Sequence, residues 1–274
     1  MNIFFIMTNY NNSQFTIDAI ESLALSDLVD YRVIIVDNNS KLEQIEILKN
    51  VKNEKVSIIY SNENTGYFPG LNIGIESIKE ELVGDFLVYI GNNDVIYPNN
   101  IAKECLSAYD KVKHYPVISP DIRTLDNTPQ NPHVISRISR VRGYIYDFYH
   151  ASYIGAILVS KFASFSSKWT KRNDEDNYKK AQEIYQGYGA MYILTPSYFQ
   201  YFQYLPEESK LMYEEYFLSL YLYRKGFKVY YTPLFSLLHR CKGATGTLSS
   251  KVKWNYSRVA HKKYSRLLKE FKGY

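Results

Sequence analysis

The side chains best suited to chemistry stand where apolar runs end. Asp37 closes YRVIIVD (31–37), and Asn92-Asn93-Asp94 follow the run DFLVYI (85–90). A carboxylate at the end of a buried parallel strand can accept hydrogen bonds from a base or ribose. For Asp37 the alternative is a cap on the helix that follows. Asp94 can ligate Mg²⁺ or Mn²⁺, which take oxygen ligands from one or two carboxylates plus substrate phosphates, although Asn-Asn-Asp is also an ordinary turn sequence. Asn64-Thr65-Gly66 and Gly70 can bring backbone close to a ligand. Glu214 and Glu215 open a helical pattern with apolar Leu211, Phe217, Leu218 and Leu222, and read either as a catalytic pair or as a solvated one. His239 ends the apolar segment PLFSLLH, as a structural histidine or a ligand. The acidic run Asp174-Glu175-Asp176 lies in a charged stretch and reads as solvated.

The elements that must hold these residues alternate strand and helix. Strands are expected at Ile3–Met7, Tyr31–Val36, Val56–Tyr60 and Asp85–Ile90. Helices are expected from Ser13 or Thr16 (as cap) through Leu25, from Leu42 to Lys49, and from Leu71 to Ile78. That order gives a parallel sheet with right-handed crossovers, and every polar cluster falls at a strand's C-terminal end, where open α/β sheets bind ligands. Residues 121–185 read as an irregular insertion. Regularity returns with a strand over Gly189–Leu194, a helix over Tyr213–Lys225 closed by Gly226, a strand over Lys228–Tyr231, and a terminal helix over 251–271.

The chain has 274 residues and 46% hydrophobic content, enough for a sizeable core. Cys105 and Cys241 give no disulfide framework, so a reducing compartment is expected. The start, MNIFFIMTNYNN, lacks the pattern of a signal peptide, and no run approaches the ~20 apolar residues of a membrane helix. The net charge of +5 is uneven: Lys251 to Lys272 holds eight Lys or Arg against one acid, Glu270. That is a local basic patch, not the footprint of a nucleic-acid-binding protein.

Taken in order, Thr8-x-Tyr10-Asn11, VIIVDNNS (33–40), NENTGYFPGLNIG (62–74), YIGNNDVIYP (89–98), GYGAMYIL (187–194), MYEEYF (212–217) and YYTPLFSLLHRCKGATG (230–246) resemble family 2 glycosyltransferases of the GT-A fold. They are most like the rhamnosyltransferase-like enzymes of bacterial surface polysaccharide assembly. The resemblance implies an α/β fold with a Rossmann-like, mostly parallel central sheet flanked by helices and a C-terminal helical tail. It divides the chain into a GT-A domain over 1–250, with a nucleotide-sugar-binding half (1–120) and an acceptor and catalytic half (121–250), and a basic amphipathic helix over 251–274. It implies that Thr8, Tyr10 and Asn11 line the nucleotide pocket and that Asp37 contacts the base. Asn64, Gly66, Gly70 and Asn72 border the donor, as do Asn92 and Asn93. Gly189 and Ala190 floor the sugar site, Asp94 and His239 serve Mn²⁺ or Mg²⁺, and Glu215, with Glu214 before it, is the catalytic base. Asn92 replaces the first acid of the family's metal motif, and Phe217 stands where many relatives carry a further acid.

The reaction so implied is inverting transfer from a nucleoside-diphosphate sugar to a hydroxyl of a glycan or lipid-linked glycan, in the cytoplasm or on the inner face of its membrane. The alternatives are a sugar-phosphate nucleotidyltransferase, disfavoured because TNYNN is no Gly-rich basic phosphate loop, and a non-catalytic nucleotide-sugar-binding protein. In the tail, Tyr256, Ala260, Tyr264, Leu267, Leu268 and Phe271 recur at helical spacing among Lys and Arg. They suit a helix drawn to anionic lipid, or one packed on the domain or on a second subunit of a homodimer.

Overall fold

The computed structural model describes residues 1–137, 139–166, 175–241 and 249–271. Four strands run parallel in the order β3-β2-β1-β4: β1 (Asn2–Asn9), β2 (Arg32–Asp37), β3 (Val56–Tyr60) and β4 (Phe86–Asn92). Their continuous apolar runs follow from burial on both faces. In β1, Ile3, Phe5 and Met7 enter one core while Phe4 and Ile6 enter the other; in β2, Val33 and Ile35 alternate with Ile34 and Val36. The first core is covered by α1 (Ser13–Ala24) and α4 (Ile101–Val112), through Ala19, Leu23, Cys105 and Val112. The second is covered by α3 (Tyr67–Ser77), through Phe68, Leu71 and Ile75. Between β2 and β3 lies α2 (Leu42–Lys49), at the bounds its sequence implies.

Beyond β4 the sheet becomes mixed. β8 (Met191–Leu194) pairs antiparallel with β4 and with β6 (Val117–Thr124), and β6 pairs parallel with β9 (Val229–His239). The short β5 (Val95–Ile96) and β7 (Gln182–Ile184) pair antiparallel with β9. The segments YYT and PLFSLLH, separate in the sequence reading, form one strand. Its register on β6 jumps from Pro120↔Thr232 to Asp121↔Ser236, and this irregularity accommodates Pro233, which has no N–H for the ladder.

Three expectations need correction. Residues 121–185 are not all irregular: they hold the helices α5 (Arg140–Ala151) and α6 (Tyr153–Ser166). The α6 sequence, YIGAILVSKFASFS, opens on an unbroken apolar run with no polar residue to announce its period. α3 begins at Tyr67 rather than Leu71, because Pro69 lies in the first turn, where its missing N–H costs nothing. Neither Ser13 nor Thr16 caps α1. Asn12 holds the cap position, while Ser13 Oγ donates to the Gln44 carbonyl (2.8 Å) and Thr16 Oγ1 to Asn9 Oδ1 (2.9 Å). The acidic run at 174–176 and the last motif residues, 242–246, fall at or outside the edge of the described residues.

After α7 (Pro196–Tyr201), α8 (Glu214–Arg224) carries the glutamate pair and ends before Gly226 at φ +81°. The terminal α9 (Ser250–Glu270) lies against α8, where Ala260, Tyr264, Leu267, Leu268 and Phe271 pack around Tyr213, Phe217 and Leu220. The helical spacing read in the tail is real, and protein covers that face.

Candidate active site

Four loops at the C-terminal ends of the parallel strands, together with α8 and α9, enclose a cleft of about 660 Å³, within the range of small-molecule sites. Thr8 and Tyr10 from the end of β1 line it, with Asn64 and Gly66 before α3, Asn92 and Asn93 after β4, and Gly189 and Ala190 before β8. Glu214 and Glu215 complete the opposite wall. Neighbouring helix positions differ by about 100°, so a helix interior would aim only one of two adjacent carboxylates into a pocket. Both line it because they are the first two residues of α8. There Cα–Cβ bonds tilt past the helix N-terminus, and Met212 (φ 69°) and Tyr213 (φ 71°) turn that terminus toward the cleft.

Gly189 makes room for this wall. A Cβ at that position would come within 2.7 Å of the Glu215 carboxyl carbon and closer still to Oε1. Burial raises the proton affinity of Glu215, while hydrogen bonds from its own N–H and that of Gly189 pull it back. For Glu214, burial first and then the neighbouring Glu215 charge push its carboxyl up to about 8, against hydrogen bonds from its own N–H and that of Met212. Both carboxyls are thus held above the ordinary carboxylate range, and the charge of Glu215 adds to the shift on Glu214. Among the described residues Glu214 Oε1 has no hydrogen-bond partner, so a buried polar atom faces a cavity with its bonding capacity unused.

The Gly66 loop is fixed from two sides. The Tyr67 N–H donates to the Lys210 carbonyl (3.0 Å), and the Tyr67 hydroxyl donates to the Gly189 carbonyl (2.6 Å). Gly66, at φ +107°, sits so close to Lys210 that a Cβ would lie 2.9 Å from its carbonyl carbon. Asn38, which also lines the cleft, donates to the Gly66 carbonyl at 2.8 Å.

Several expected site residues stand behind the wall instead. The Asp37 carboxylate is fully buried, accepting from Asn9 Nδ2 (2.7 Å) and from the Ser40 N–H (2.9 Å). Asn11 joins the same loops: its N–H donates to Ser40 Oγ (2.9 Å), and its Oδ1 accepts from the Lys41 N–H (2.8 Å). Gly70 packs against Asn38 and Thr8. Asn72 pins the segment before α8, donating to the Leu205 carbonyl (3.0 Å) and Glu207 Oε1 (2.8 Å). Asn93 does both: it lines the cleft and donates to Asn12 Oδ1 (2.9 Å) and Thr16 Oγ1 (2.8 Å).

Asp94 and His239 are brought together by the β5–β9 pairing, which sets Val95 opposite His239, and by the Arg240 N–H on the Asp94 carbonyl (2.9 Å). His239 Nε2 lies 3.2 Å from Asp94 Oδ1, and its Nδ1 donates to Gln130 Oε1 at 2.8 Å. Neither lines the cleft. Asn92 does, and its amide reaches within 3.5 Å of His239 Nε2, so the pair lies one side chain behind the wall. Among the described residues no three His, Cys, Asp or Glu converge as a metal-holding group.

A cleft at the carboxyl edge of a parallel sheet, walled by one buried and one half-buried carboxylate, suits proton removal beside a bound nucleotide. The sequence profile described as "Glycosyl transferase family 2" matches residues 4–172, more than half of the chain. The chain belongs to glycosyltransferase family 2. No curated protein matches this family 2 member along its sequence. Its fold is shared with solved glycosyltransferase structures. TarS 1–349 of S. aureus superposes with a TM-score of 0.55 at 14% identity, over 88% of this chain and 60% of that one. GalNAc-T7, solved with UDP, GalNAc and Mn²⁺, gives 0.62 at 12% identity, over 99% and 49%. The mannosyltransferase PcManGT from Pyrobaculum calidifontis, in complex with GDP-Man and Mn²⁺, gives 0.51 at 12% identity, over 86% and 56%. The family 2 chain thus spans about half to three-fifths of the length of these proteins, and the likeness establishes the GT-A fold.

Sequence reasoning missed Asn12, Tyr67, Tyr188, Lys210 and Tyr213 as cleft residues, and also Tyr256 and Ser257, which α9 contributes to the wall. A cluster of helix-period aromatics in the tail was legible, but its partner was not.

Proposed function

We propose that this family 2 glycosyltransferase carries out inverting transfer of a sugar from a nucleoside diphosphate to a hydroxyl of a growing, lipid-linked surface glycan at the cytoplasmic face of a membrane. The observation that carries the reading is the Glu214–Glu215 wall, with Gly189 against Glu215, lining one cleft with Asn92, Asn93 and Ala190. Thr8, Tyr10, Asn38 and Asn64 bound the end assigned to the nucleotide. Asp37 and Asn11 serve that end by bracing its loops, and Gly66, Gly70 and Asn72 fix the loop that borders the donor. Gly189 and Ala190 form the floor for the sugar.

In the proposed step Glu215 takes the acceptor hydroxyl's proton as that oxygen bonds to the anomeric carbon. The bond to the diphosphate oxygen breaks on the opposite face. A positioned base contributes ~10²–10⁴-fold. Glu214, protonated in the working range, adds no second charge to the wall and offers an O–H to a sugar hydroxyl.

Asp94 and His239 fit a divalent cation in donor type: one carboxylate oxygen and one imidazole nitrogen, the ring held from behind by Gln130. Mn²⁺ or Mg²⁺ bound there would neutralise charge on the departing diphosphate. Two of the similar structures, GalNAc-T7 and PcManGT, were solved with Mn²⁺.

The test is a panel of UDP-, GDP- and dTDP-sugars, with dTDP-rhamnose among the first. Each is scored for binding and then for hydrolysis or transfer with and without Mn²⁺. Binding and turnover of one donor support the reading. Binding of a nucleoside diphosphate with no turnover of any donor would leave a binding protein instead.

A further inference from the structure

One surface is covered by nothing among the described residues. From Tyr153 to Phe162, only Gly155 and Ala156 of α6 are buried. Ile154 is 71% exposed and Phe162 75%, with Ile157 and Leu158 open beside them. α5 continues the surface through Tyr144, 72% exposed, and Phe148. A helix apolar on nearly every side needs a cover, and a contiguous patch of large apolar side chains marks an interaction site.

Charge identifies the cover. Tyr144, Phe148 and Ala151 lie at i, i+4 and i+7, on one face of α5. Ala151 also lines the groove between α5 and α9, whose other wall carries Lys262, Arg266 and Lys269. All three cations are exposed, and among the described residues none is in an ion pair. The basic stripe therefore runs beside the apolar patch. A second copy is the poorer occupant, because a two-fold interface sets the same patch against itself and brings the two basic helices together. A bilayer with anionic headgroups satisfies both halves at once.

We infer that α5 and α6 form a membrane-docking surface whose apolar side chains enter the interface of an anionic bilayer while Lys262, Arg266 and Lys269 of α9 contact its headgroups. This differs from a tail helix that inserts by itself, since the apolar face of α9 is spent on α8. The inference rests on the proposed function only in that a lipid-linked acceptor gives the docking a purpose.

The experiment is flotation of the full chain with phosphatidylcholine vesicles and with mixed phosphatidylcholine–phosphatidylglycerol vesicles, with light scattering of the lipid-free protein alongside. The wild type is expected to float only with the anionic vesicles and to be released by salt. Ile154→Ser with Phe162→Ser should abolish flotation without lowering the melting temperature, as both side chains are exposed. Lys262→Ala with Arg266→Ala should weaken binding on the order of 20-fold, about fivefold per basic residue. Failure of the wild type to float, equal flotation on neutral vesicles, or flotation unchanged in Ile154→Ser/Phe162→Ser would overturn the inference. A lipid-free dimer that the same double variant makes monomeric would overturn it too, giving the patch to a second copy. Transfer to a soluble acceptor, assayed without vesicles, reports on the enzymatic reading separately.

Discussion

Gly189 and Glu215 share one space: the position a Cβ would take on Gly189 lies within 2.7 Å of the Glu215 carboxyl carbon, and the obstructing atoms are the end of a flexible side chain. A methyl group there is thus cheap for the fold and costly for the carboxylate's placement. Gly189→Ala should leave the melting temperature nearly unchanged while lowering kcat on the order of 10²-fold, the scale of a 1 Å misplacement of a reacting group. Wild-type turnover in the alanine variant would show that Glu215 need not occupy this position.

The two glutamates should separate by charge. Glu215→Gln keeps shape and removes basicity, so transfer should fall by ~10²–10⁴-fold with donor binding retained. Glu214→Gln replaces a group that is already neutral below about pH 8, so its loss should be much smaller at pH 7. Equal and severe losses in both would assign proton removal to the pair rather than to Glu215.

The pair also sets a stability slope. The folded state holds Glu214 protonated up to about pH 8, whereas the unfolded chain releases that proton near the ordinary carboxylate value. Between those limits the native state binds more protons than the unfolded one, so stability falls as pH rises, by up to about 1.4 kcal/mol per pH unit. Glu214→Gln should flatten this dependence and melt higher than the wild type at pH 8. Parallel melting curves for the two proteins from pH 5 to 8 would remove the assignment.

Much of this was legible beforehand. Strands buried on both faces announced themselves as unbroken apolar runs, as in VIIV at 33–36, and polar loops at their ends located the cleft. What stayed hidden depends on tertiary closure. Nothing local in Met212 or Tyr213 signals a positive φ, yet those two residues aim α8. The period of α6 was hidden because its polar residues, Ser160, Lys161, Ser164 and Ser166, all fall in its second half, after an unbroken apolar run. Asp37 looked like a ligand contact because its position in the fold is right. Its buried carboxylate is taken up by Asn9, 28 residues away in sequence, as well as by the neighbouring Ser40 N–H.

That burial changes what Asp37→Ala should do. The sequence alone suggested weakened nucleotide binding with an intact fold. The structure adds that the substitution leaves Asn9 Nδ2 without its shortest bond and orphans the Ser40 N–H. Each such group costs about 1–3 kcal/mol when left unsatisfied. A lower melting temperature together with weaker nucleotide binding is expected. Unchanged melting with lost binding would restore Asp37 as a direct contact.

The His239–Asp94 pair offers the last test. Gln130 Oε1 can only accept, so it holds the proton on Nδ1 and leaves Nε2 toward Asp94. A lone pair facing a carboxylate at 3.2 Å needs positive charge beside it, and a metal ion supplies more than the Asn92 amide N–H within 3.5 Å of Nε2. Dialysis against a chelator should therefore abolish transfer, with Mn²⁺ or Mg²⁺ restoring it. Gln130→Ala, which frees the ring without removing a ligand, should raise the metal concentration needed for half-maximal activity by 10–100-fold, the usual effect of losing a hydrogen bond behind a metal ligand. If activity survives the chelator, the assignment of a metal to this pair fails.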